Sequence, residues 1–227
     1  MLYVVPTPLG NLEDMTARCL RALKGSSAVF CEDTRRTRAL MAHFGLSVSL
    51  ERYDENDARS VERLVERLRR GEDVSLVSDG GCPGVSDPGR RAVAAARREG
   101  LPVTALPGPS AVACAVAGSG LPGDSFVFLG FLPRASAKRR RILAAAKGLE
   151  RTIVVYESPF RVLELLEDAE AALGPQAQAV AARELSKVHE EWLCGSVATV
   201  KAALSSRAEL LGEFVLLFHP DPEPAHG

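Results

Sequence analysis

The sequence lacks the features that mark several common kinds of protein. Its five cysteines, at positions 19, 31, 82, 114 and 194, form no C-x-x-C pair and no other metal-ligand spacing. The four histidines are scattered and add no metal-binding pattern. We therefore predict no metal site, and reduced thiols in a cytoplasmic protein are the simplest account of the cysteines.

Net charge and long apolar runs are also missing. The 28 Lys and Arg residues nearly balance the 29 Asp and Glu residues, so a formal charge of −1 gives no general attraction for polyanions. Any contact with nucleic acid must come from a local basic patch. The longest stretch nearly free of charge, 111–133, is cut by glycine, proline and Asp124 into pieces too short to cross a bilayer. The start of the chain shows no signal-peptide pattern, so we expect a soluble protein with no membrane partner.

Two nucleotide-binding fingerprints are missing where they would be expected. The turn after the first strand, 6–12, lacks G-x-G-x-x-G, and G-x-x-x-x-G-K-[ST] occurs nowhere in the sequence, which disfavours a standard dinucleotide fold and a P-loop. What is present is an alternation of short β-branched runs with longer segments of helical period, which indicates an α/β protein with a largely parallel sheet. The eight candidate strands are 2–5, 28–31, 74–78, 103–106, 126–129, 152–156, 178–181 and 214–218.

The candidate strands fall into two halves separated by a stretch rich in turn-forming residues, 118–124. We place a hinge there, between an N-terminal α/β domain, 1–117, and a C-terminal α/β domain, 125–219. The remaining segment, 220–227, has no apolar group to bury, and we expect it to be disordered.

Several helices carry start or stop signals. An amphipathic helix is predicted to begin after Ser60 and to end at Gly71. The pairs Asp87-Pro88 and Ser158-Pro159 each predict a capped helix start with proline in the first turn. Gly174 is predicted to end the second of these helices.

The most informative stretch, 74–89, reads as a buried strand, a glycine-rich turn and a helix. Ligands of open α/β sheets bind just beyond the carboxyl ends of the strands. Gly80 and Gly81 leave the backbone bare for a ligand, and Asp79 is a candidate acceptor for a ligand hydroxyl or amine. The alternative is that these residues only shape a tight turn. Two further turns, 6–12 and 106–111, follow strands in the same way.

Two charged segments are also candidates for function. The segment 31–38 comes directly after a strand, where a carboxylate could accept a proton from a hydroxyl and arginines could hold phosphates. Arg134 and the run 138–141 form the only dense basic patch, a natural seat for RNA phosphates. The alternative for either segment is a solvated helix face, which charge runs usually form.

Taken together, nine short motifs resemble, in order, the tetrapyrrole-methylase superfamily, and specifically its branch that methylates RNA of the small ribosomal subunit. The resemblance covers roughly residues 2–218. The motifs are T-P-L-G-N-L at 7–12, C-E-D-T-R at 31–35, S-D-G-G-C-P at 78–83, S-D-P-G at 86–89, P-G-P-S-A at 107–111, G-F-L-P at 130–133, Y-E-S-P-F-R at 156–161, R-E-L-S-K at 183–187 and G-E-F-V-L at 212–216.

This resemblance implies two α/β domains with S-adenosylmethionine in the cleft between them, and usually a homodimer. It implies transfer of a methyl group to the ribose 2′-hydroxyl of a cytidine in 16S ribosomal RNA of the small subunit. The chain stops near residue 227 without the C-terminal extension of many relatives, so we expect RNA affinity to rely more on the dimer. The residues expected to hold the cofactor are Pro8, Leu9, Asp79, Gly81, Cys82, Ser110, Ala111 and Tyr156.

For the chemistry we expect Asp33 or Glu32 to act as the base, with Arg35 and Arg161 clamping phosphates. Two alternatives stay open: methylation of a tetrapyrrole or another small substrate, such as a modified histidine of a translation factor, and a non-catalytic RNA-binding protein with a vestigial pocket. The residues expected to bind RNA are Arg134, Lys138, Arg139, Arg140, Arg141 and Arg161.

Overall fold

The computed structural model describes residues 1–220. Apart from Pro220, the segment predicted to be disordered therefore lies outside the described residues. The chain divides into two compact units, Met1–Ser110 and the part that begins at Ala111. Each unit is built around a five-stranded sheet, which confirms the predicted α/β class with two domains.

The first unit contains an entirely parallel sheet in the order β3-β2-β4-β1-β5. Because all its strands run the same way, their carboxyl ends meet at one edge, and the loops that follow them lie side by side. The strands are β1 (Leu2–Val4), β2 (Ala28–Cys31), β3 (Leu50–Arg52), β4 (Val74–Leu76) and β5 (Val103–Ala105).

Helices cover both faces of this sheet, which explains why β2 and β4 are apolar or buried at every position. The third and fourth helices pack on one face against Phe30 and Leu76. The first two pack on the other face against Val29 and Val77. The helices are α1 (Ala17–Gly25), α2 (Thr34–His43), α3 (Ala58–Arg69) and α4 (Arg90–Arg98), and a short 3-10 turn spans Leu12–Asp14.

The second unit contains a mixed sheet in the order β6-β7-β10-β8-β9. Only β6 and β7 are parallel neighbours, and the other pairs are antiparallel. The strands are β6 (Phe126–Phe131), β7 (Thr152–Glu157), β8 (Gln178–Arg183), β9 (Glu191–Ser196) and β10 (Phe214–His219). The helices are α5 (Ala111–Ser119), α6 (Ser136–Lys147), α7 (Val162–Leu173) and α8 (Val197–Ser205).

The helix α5 belongs to the second unit because its buried residues Val112 and Ala115 pack against Val154, Val180 and Leu217 of the second sheet. The other three helices of this unit contribute to a separate apolar core on the opposite face. The boundary between the units thus precedes α5, whereas the sequence suggested a hinge after it. That the segment 118–124 acts as a hinge stays a prediction.

All eight predicted strands are present, with their ends shifted by a few residues, and β3 and β9 are additional. The expectation of a largely parallel sheet holds for the first unit and is wrong for the second. Within residues 1–220, none of the helices is both long and apolar enough to cross a bilayer.

Helix ends were predicted better than helix starts. Gly71 and Gly174 follow the last turns of α3 and α7, at φ angles of +79° and +106° that favour glycine. The predicted caps Asp87 and Ser158 are wrong, because α4 begins after Gly89 and α7 begins after Arg161.

The start of α4 is capped by a residue that is far away in the sequence. The Glu55 carboxylate accepts a hydrogen bond from the Gly89 backbone N–H, so Asp87 is not needed there. The start of α3 was also placed too late. Asp57 caps it through the Arg59 N–H, and Ser60 is buried inside the first turn, where its hydroxyl donates to the Arg52 carbonyl.

Candidate functional site

The loop after β1 and the loop after β4 are joined by backbone hydrogen bonds. The Thr7 N–H donates to the Gly81 carbonyl, and the Gly81 N–H donates to the Thr7 carbonyl, each at 2.9 Å. The Thr7 hydroxyl also donates to the Ser78 carbonyl at 3.0 Å. These bonds hold the two loops side by side at the carboxyl edge of the first sheet.

The two glycines of the second loop face the first loop closely, and Gly81 has the stronger need for glycine. A Cβ atom at Gly80 would lie 3.4 Å from the Pro8 carbonyl oxygen, and one at Gly81 would lie 3.3 Å from Leu9 Cδ2. Gly81 also has a φ of +81°, which a side chain would strain. The structure therefore brings together five residues of the expected cofactor site: Pro8, Leu9, Asp79, Gly81 and Cys82.

The loop after β5 lies beside the loop after β1. A Cβ atom at Gly108 would come within 2.9 Å of Pro6 Cβ, and the Cys19 thiol lies 3.8 Å from the Pro107 carbonyl oxygen. Ser110, at the end of this loop, thus belongs to the same edge of the first unit. The other two residues expected at the cofactor, Ala111 and Tyr156, lie in the second unit and pack against one apolar cluster there.

A cavity of about 340 Å³ opens beside the joined loops. Its lining combines loop residues with one face of α2, and Arg36 reaches across to Asp79 with 3.2 Å between Nη1 and the carboxylate Oδ2. The lining residues are Thr7, Pro8, Gly10, Leu12, Arg36, Thr37, Ala39, Leu40, His43, Ser78 and Asp79. The candidate segment 31–38 already contains Arg36 and Thr37, but Ala39, Leu40 and His43 were not predicted, although the spacing of Arg36, Leu40 and His43 places them on one helix face.

Two adjacent carboxylates after β2 have opposite environments. Burial, followed by the negative charges of Asp87, Asp79, Asp54 and Glu55, raises the pKa of Glu32 to about 7. By contrast, Asp33 caps α2, and its hydrogen bonds from the Arg35 side chain and backbone lower its pKa to about 2. Of the two expected bases, only Glu32 has a pKa near neutral pH.

Arg35, the third expected catalytic residue, lies against Asp33. Its backbone N–H donates to the Asp33 carboxylate at 2.8 Å, and its Nη2 lies 3.1 Å from the same group. The side chain is otherwise exposed to solvent, so part of the guanidinium faces outward. Within residues 1–220, no three histidine, cysteine, aspartate or glutamate side chains are placed to hold a metal ion.

The basic patch of the second unit is only partly available for binding. Arg139 is buried, with its Nε 2.6 Å from Asp168 Oδ2 and its Nη1 donating to the Arg134 carbonyl at 2.7 Å. The expectation that Arg139 binds RNA is therefore wrong, because its charge is neutralised inside the unit. Arg140 also pairs with Asp168 at 2.6 Å but stays half exposed. The exposed cations of the patch are Arg134, Lys138, Arg140 and Arg141, and Arg140 is the one that pairs with Asp168.

Arg161 ties two loops of the second unit together. Its Nη2 donates to the carbonyl of Leu132 at 2.9 Å and to that of Pro133 at 3.3 Å, and it lies 3.2 Å from the buried Glu157 carboxylate. These contacts fasten the G-F-L-P loop to the Y-E-S-P-F-R loop. A contact between Arg161 and RNA phosphates stays a prediction.

Two more motifs of the second unit interlock. The Glu184 carboxylate accepts hydrogen bonds from the Lys187 ammonium and the Glu213 N–H, both at 2.8 Å. A Cβ atom at Gly212 would lie 2.5 Å from Glu184 Cγ, so glycine is needed there for the close approach. The R-E-L-S-K loop is thereby fixed to the segment that precedes β10.

Solved structures similar to this chain include methyltransferases and diphthine synthases. A cobalt precorrin-4 methyltransferase superposes with a TM-score of 0.69 at 17% identity, covering 97% of this chain and 96% of that chain. A diphthine synthase gives a TM-score of 0.75 at 17% identity, covering 98% and 91%. Uroporphyrin-III C-methyltransferase from Thermus thermophilus, in complex with S-adenosyl homocysteine, gives 0.66 at 19% identity, covering 95% and 96%. These likenesses confirm the tetrapyrrole-methylase type of fold.

Relatives in sequence identify the family to which the chain belongs. The family described as Tetrapyrrole (Corrin/Porphyrin) Methylases matches residues 1–201. A ribosomal RNA small subunit methyltransferase I from Hydrogenobaculum sp. (strain Y04AAS1) is 41% identical over 95% of this chain and 94% of its own length. One from Halalkalibacterium halodurans is 40% identical over 98% of this chain and 76% of its own length. The chain therefore belongs to the tetrapyrrole methylase family, in the branch whose curated members carry that name.

Proposed function

We propose that the protein transfers a methyl group from S-adenosylmethionine to the ribose 2′-hydroxyl of a cytidine in 16S ribosomal RNA. The observation that carries the proposal is Glu32, a half-buried carboxylate whose pKa is raised to about 7 by burial and neighbouring carboxylates. It follows β2 at the sheet edge where the glycine loops meet. The names of the similar small subunit methyltransferases support the choice of ribosomal RNA as substrate.

The residues of the joined loops fit S-adenosylmethionine. Pro8 and Leu9 offer an apolar surface, Gly80 and Gly81 leave main-chain groups bare, and the Asp79 carboxylate can accept from a hydroxyl or amino group. Cys82, Ser110, Ala111 and Tyr156 are proposed to contribute to the same cofactor site. When bound, S-adenosylmethionine would supply a methyl group carried on a sulfonium sulfur. Once the methyl is transferred, that sulfur becomes a neutral thioether.

Glu32 is proposed as the group that takes up the hydroxyl proton. A general base is most effective when its pKa lies near the working pH, and Glu32 meets this condition whereas Asp33 does not. Asp33 instead caps α2 and holds Arg35 in place, so that the outward part of that guanidinium can face an RNA phosphate. Further phosphate contacts are assigned to Arg134, Lys138, Arg140 and Arg141, and the protein is proposed to act as a homodimer in the cytoplasm.

The assignment of the base is tested by single-turnover methylation of undermethylated 30S subunits. We expect Glu32→Gln to lower the rate by about 10²- to 10⁴-fold, the usual contribution of a positioned base, with the affinity for S-adenosylmethionine unchanged by calorimetry. Asp33→Asn should keep most of the rate and mainly weaken the start of α2. A Glu32→Gln variant with full single-turnover rate would remove Glu32 from the mechanism.

The two alternatives predict different results in the same assays. Methylation of a precorrin and not of 30S RNA would identify a small-substrate methylase. Salt-sensitive RNA binding without any binding of S-adenosylmethionine would identify a non-catalytic RNA-binding protein.

A further inference from the structure

Several large apolar side chains are exposed at one edge of the second sheet. In the register of the sheet, Phe131 pairs with Tyr156, Phe214 pairs with Glu157 and Arg183, and Arg183 pairs with Glu191. The strands β6, β7 and β8 therefore end at the same edge at which β10 and β9 begin. Four large apolar side chains are exposed at this edge: Phe131 at the end of β6, and Phe160, Val188 and Leu211 in loops.

The two phenylalanines have the largest side chains of this group. Phe160 is 88% exposed and Phe131 is 58% exposed, although both lie next to well-packed strands. An aromatic ring left in water realises little of the free energy that its burial would give. Contiguous exposed apolar groups on a soluble protein commonly mark a surface that binds something.

The Phe131 ring, and the backbone beside Phe160, are held by contacts inside the unit. Phe131 meets Tyr156 edge to face, with 5.6 Å between ring centroids, and Tyr156 meets Phe128 in the same way at 4.9 Å. Arg161, which directly follows Phe160, holds the loop after Phe131 through its hydrogen bonds to two carbonyls of that loop. The end of β6, which carries Phe131, and the loop that carries Phe160 are therefore fastened to each other, so the backbone at both positions needs little ordering on binding.

The charged residues that follow Phe131 in the sequence indicate which kind of partner this surface binds. Arg134 and Lys138 follow Phe131 within one loop and the first turn of α6, and both are exposed. The core of an interface between protein copies is usually depleted of lysine. Exposed aromatic rings next to exposed cations are instead the arrangement with which proteins bind single-stranded nucleic acid, since the bases stack on the rings and the cations face the phosphates.

We propose that Phe131 and Phe160 form a stacking surface for unpaired bases of RNA, with Arg134 and Lys138 at the adjoining phosphates. The identity of this RNA as ribosomal rests on the proposed function. Phe131 and Phe160 belong to the second unit, whereas the joined loops and the cavity belong to the first.

The test is the affinity of the full chain for a fluorescein-labelled, unstructured pyrimidine-rich oligoribonucleotide, measured by anisotropy. Phe160→Ala and Phe131→Ala should each weaken binding by about five- to a hundredfold, and Phe160→Trp should keep it. The matched control is Phe126→Ala, because Phe126 is also exposed, at 40%, but begins β6 at the opposite edge of the same sheet. Arg134→Gln and Lys138→Gln should each weaken binding and reduce its dependence on salt concentration.

Further readouts separate this proposal from the proposed function. If both alanine variants bind the oligoribonucleotide as tightly as the wild type does, the stacking surface is refuted, even when 30S methylation persists. If binding depends on the two rings but no RNA is methylated, the stacking surface stands and the proposed function fails. If sedimentation shows that Phe160→Ala dissociates a dimer while RNA affinity per protomer is unchanged, the occupant is a second copy and the proposal is overturned.

Discussion

Arg36 on α2 lies across the cavity from Asp79, and the 3.2 Å between their charged groups links that helix to the glycine loop after β4. Both side chains are partly exposed, so the pair contributes little to stability. Its effect is on position, because it fixes the rotamer of the one carboxylate in the joined loops that faces the cavity.

Replacement of Arg36 by glutamine should therefore affect binding more than folding. We expect Arg36→Gln to weaken S-adenosylmethionine binding by about two- to tenfold, the size of one hydrogen-bonding contribution, with little change in Tm. Calorimetry measures the first quantity and thermal unfolding the second. Arg70→Gln is the matched control, since Arg70 pairs only loosely, at 3.6 Å, with Glu66 on the distant helix α3. Equal affinities in the two variants would exclude a positioning role for Arg36.

Glu32 should impose a characteristic pH dependence on the reaction. A base must be ionised to accept a proton, so the single-turnover rate should rise with pH through about 7, the raised pKa of Glu32. Glu32→Gln should remove this limb of the profile, whereas Asp33→Asn should leave it in place. An unchanged rising limb in Glu32→Gln would assign the titration to another group.

The same group should affect stability in the opposite direction. The pKa of Glu32 is raised from 4.5 to about 7 in the folded protein, so between these values the native state binds more protons than the unfolded state does. Stability contributed by this group therefore falls as pH rises through that range. We expect the Tm of Glu32→Gln to exceed that of the wild type by more at pH 8 than at pH 5. The reverse order would contradict the buried, carboxylate-rich environment.

Gly81 and Gly71 allow strain to be separated from cofactor binding. Both have φ angles near +80°, at +81° and +79°, so alanine should destabilise the protein at either position by about 1–2 kcal/mol. A Cβ atom at Gly71 meets nothing within 4 Å, but one at Gly81 meets Leu9 at 3.3 Å. Only Gly81→Ala should therefore weaken S-adenosylmethionine binding in calorimetry. Similar losses of affinity in both variants would mean that the joined loops do not hold the cofactor.

Substitutions in the basic patch should affect stability where the arginine is buried and RNA binding where it is exposed. Arg139→Met leaves the buried Asp168 with fewer partners, and we expect a loss of about 3 kcal/mol in the free energy of unfolding. Arg141→Gln, at an exposed position, should leave the unfolding midpoint nearly unchanged and weaken RNA binding in moderate salt. Urea unfolding and anisotropy titrations measure the two effects. A stable Arg139→Met protein with weakened RNA binding would restore Arg139 to the RNA surface.

The sequence predicts the strands well where they are β-branched and buried, as at β4 and β7. It fails at β3, because Leu50–Arg52 is a short edge strand with two charged residues, and at β9, where Gly195 and Glu191 weaken the strand pattern. The mostly antiparallel order of the second sheet could not be inferred, since β6, β7 and β8 are separated by helices just as the parallel strands of the first unit are.

For the site, sequence motifs located the loops but not the environments of their charges. Glu32 and Asp33 are adjacent carboxylates in the sequence, and only the helix cap and the surrounding carboxylates distinguish them. The burial of Arg139 was not predicted, because its basic neighbours suggested an exposed cationic run. Its spacing to Leu143 and Ala146 is nevertheless that of one helix face, which is a signal that would have indicated its burial.

The most direct test of the central claim is the position of the transferred methyl group. The protein would be incubated with undermethylated 30S subunits and isotope-labelled S-adenosylmethionine, and the 16S RNA digested to nucleosides and short fragments for mass spectrometry. The account predicts label as 2′-O-methylcytidine within one fragment, and its near absence with Glu32→Gln over the same time. Label on a base, label on a nucleoside other than cytidine, or unmethylated RNA beside an active small-substrate reaction would contradict it.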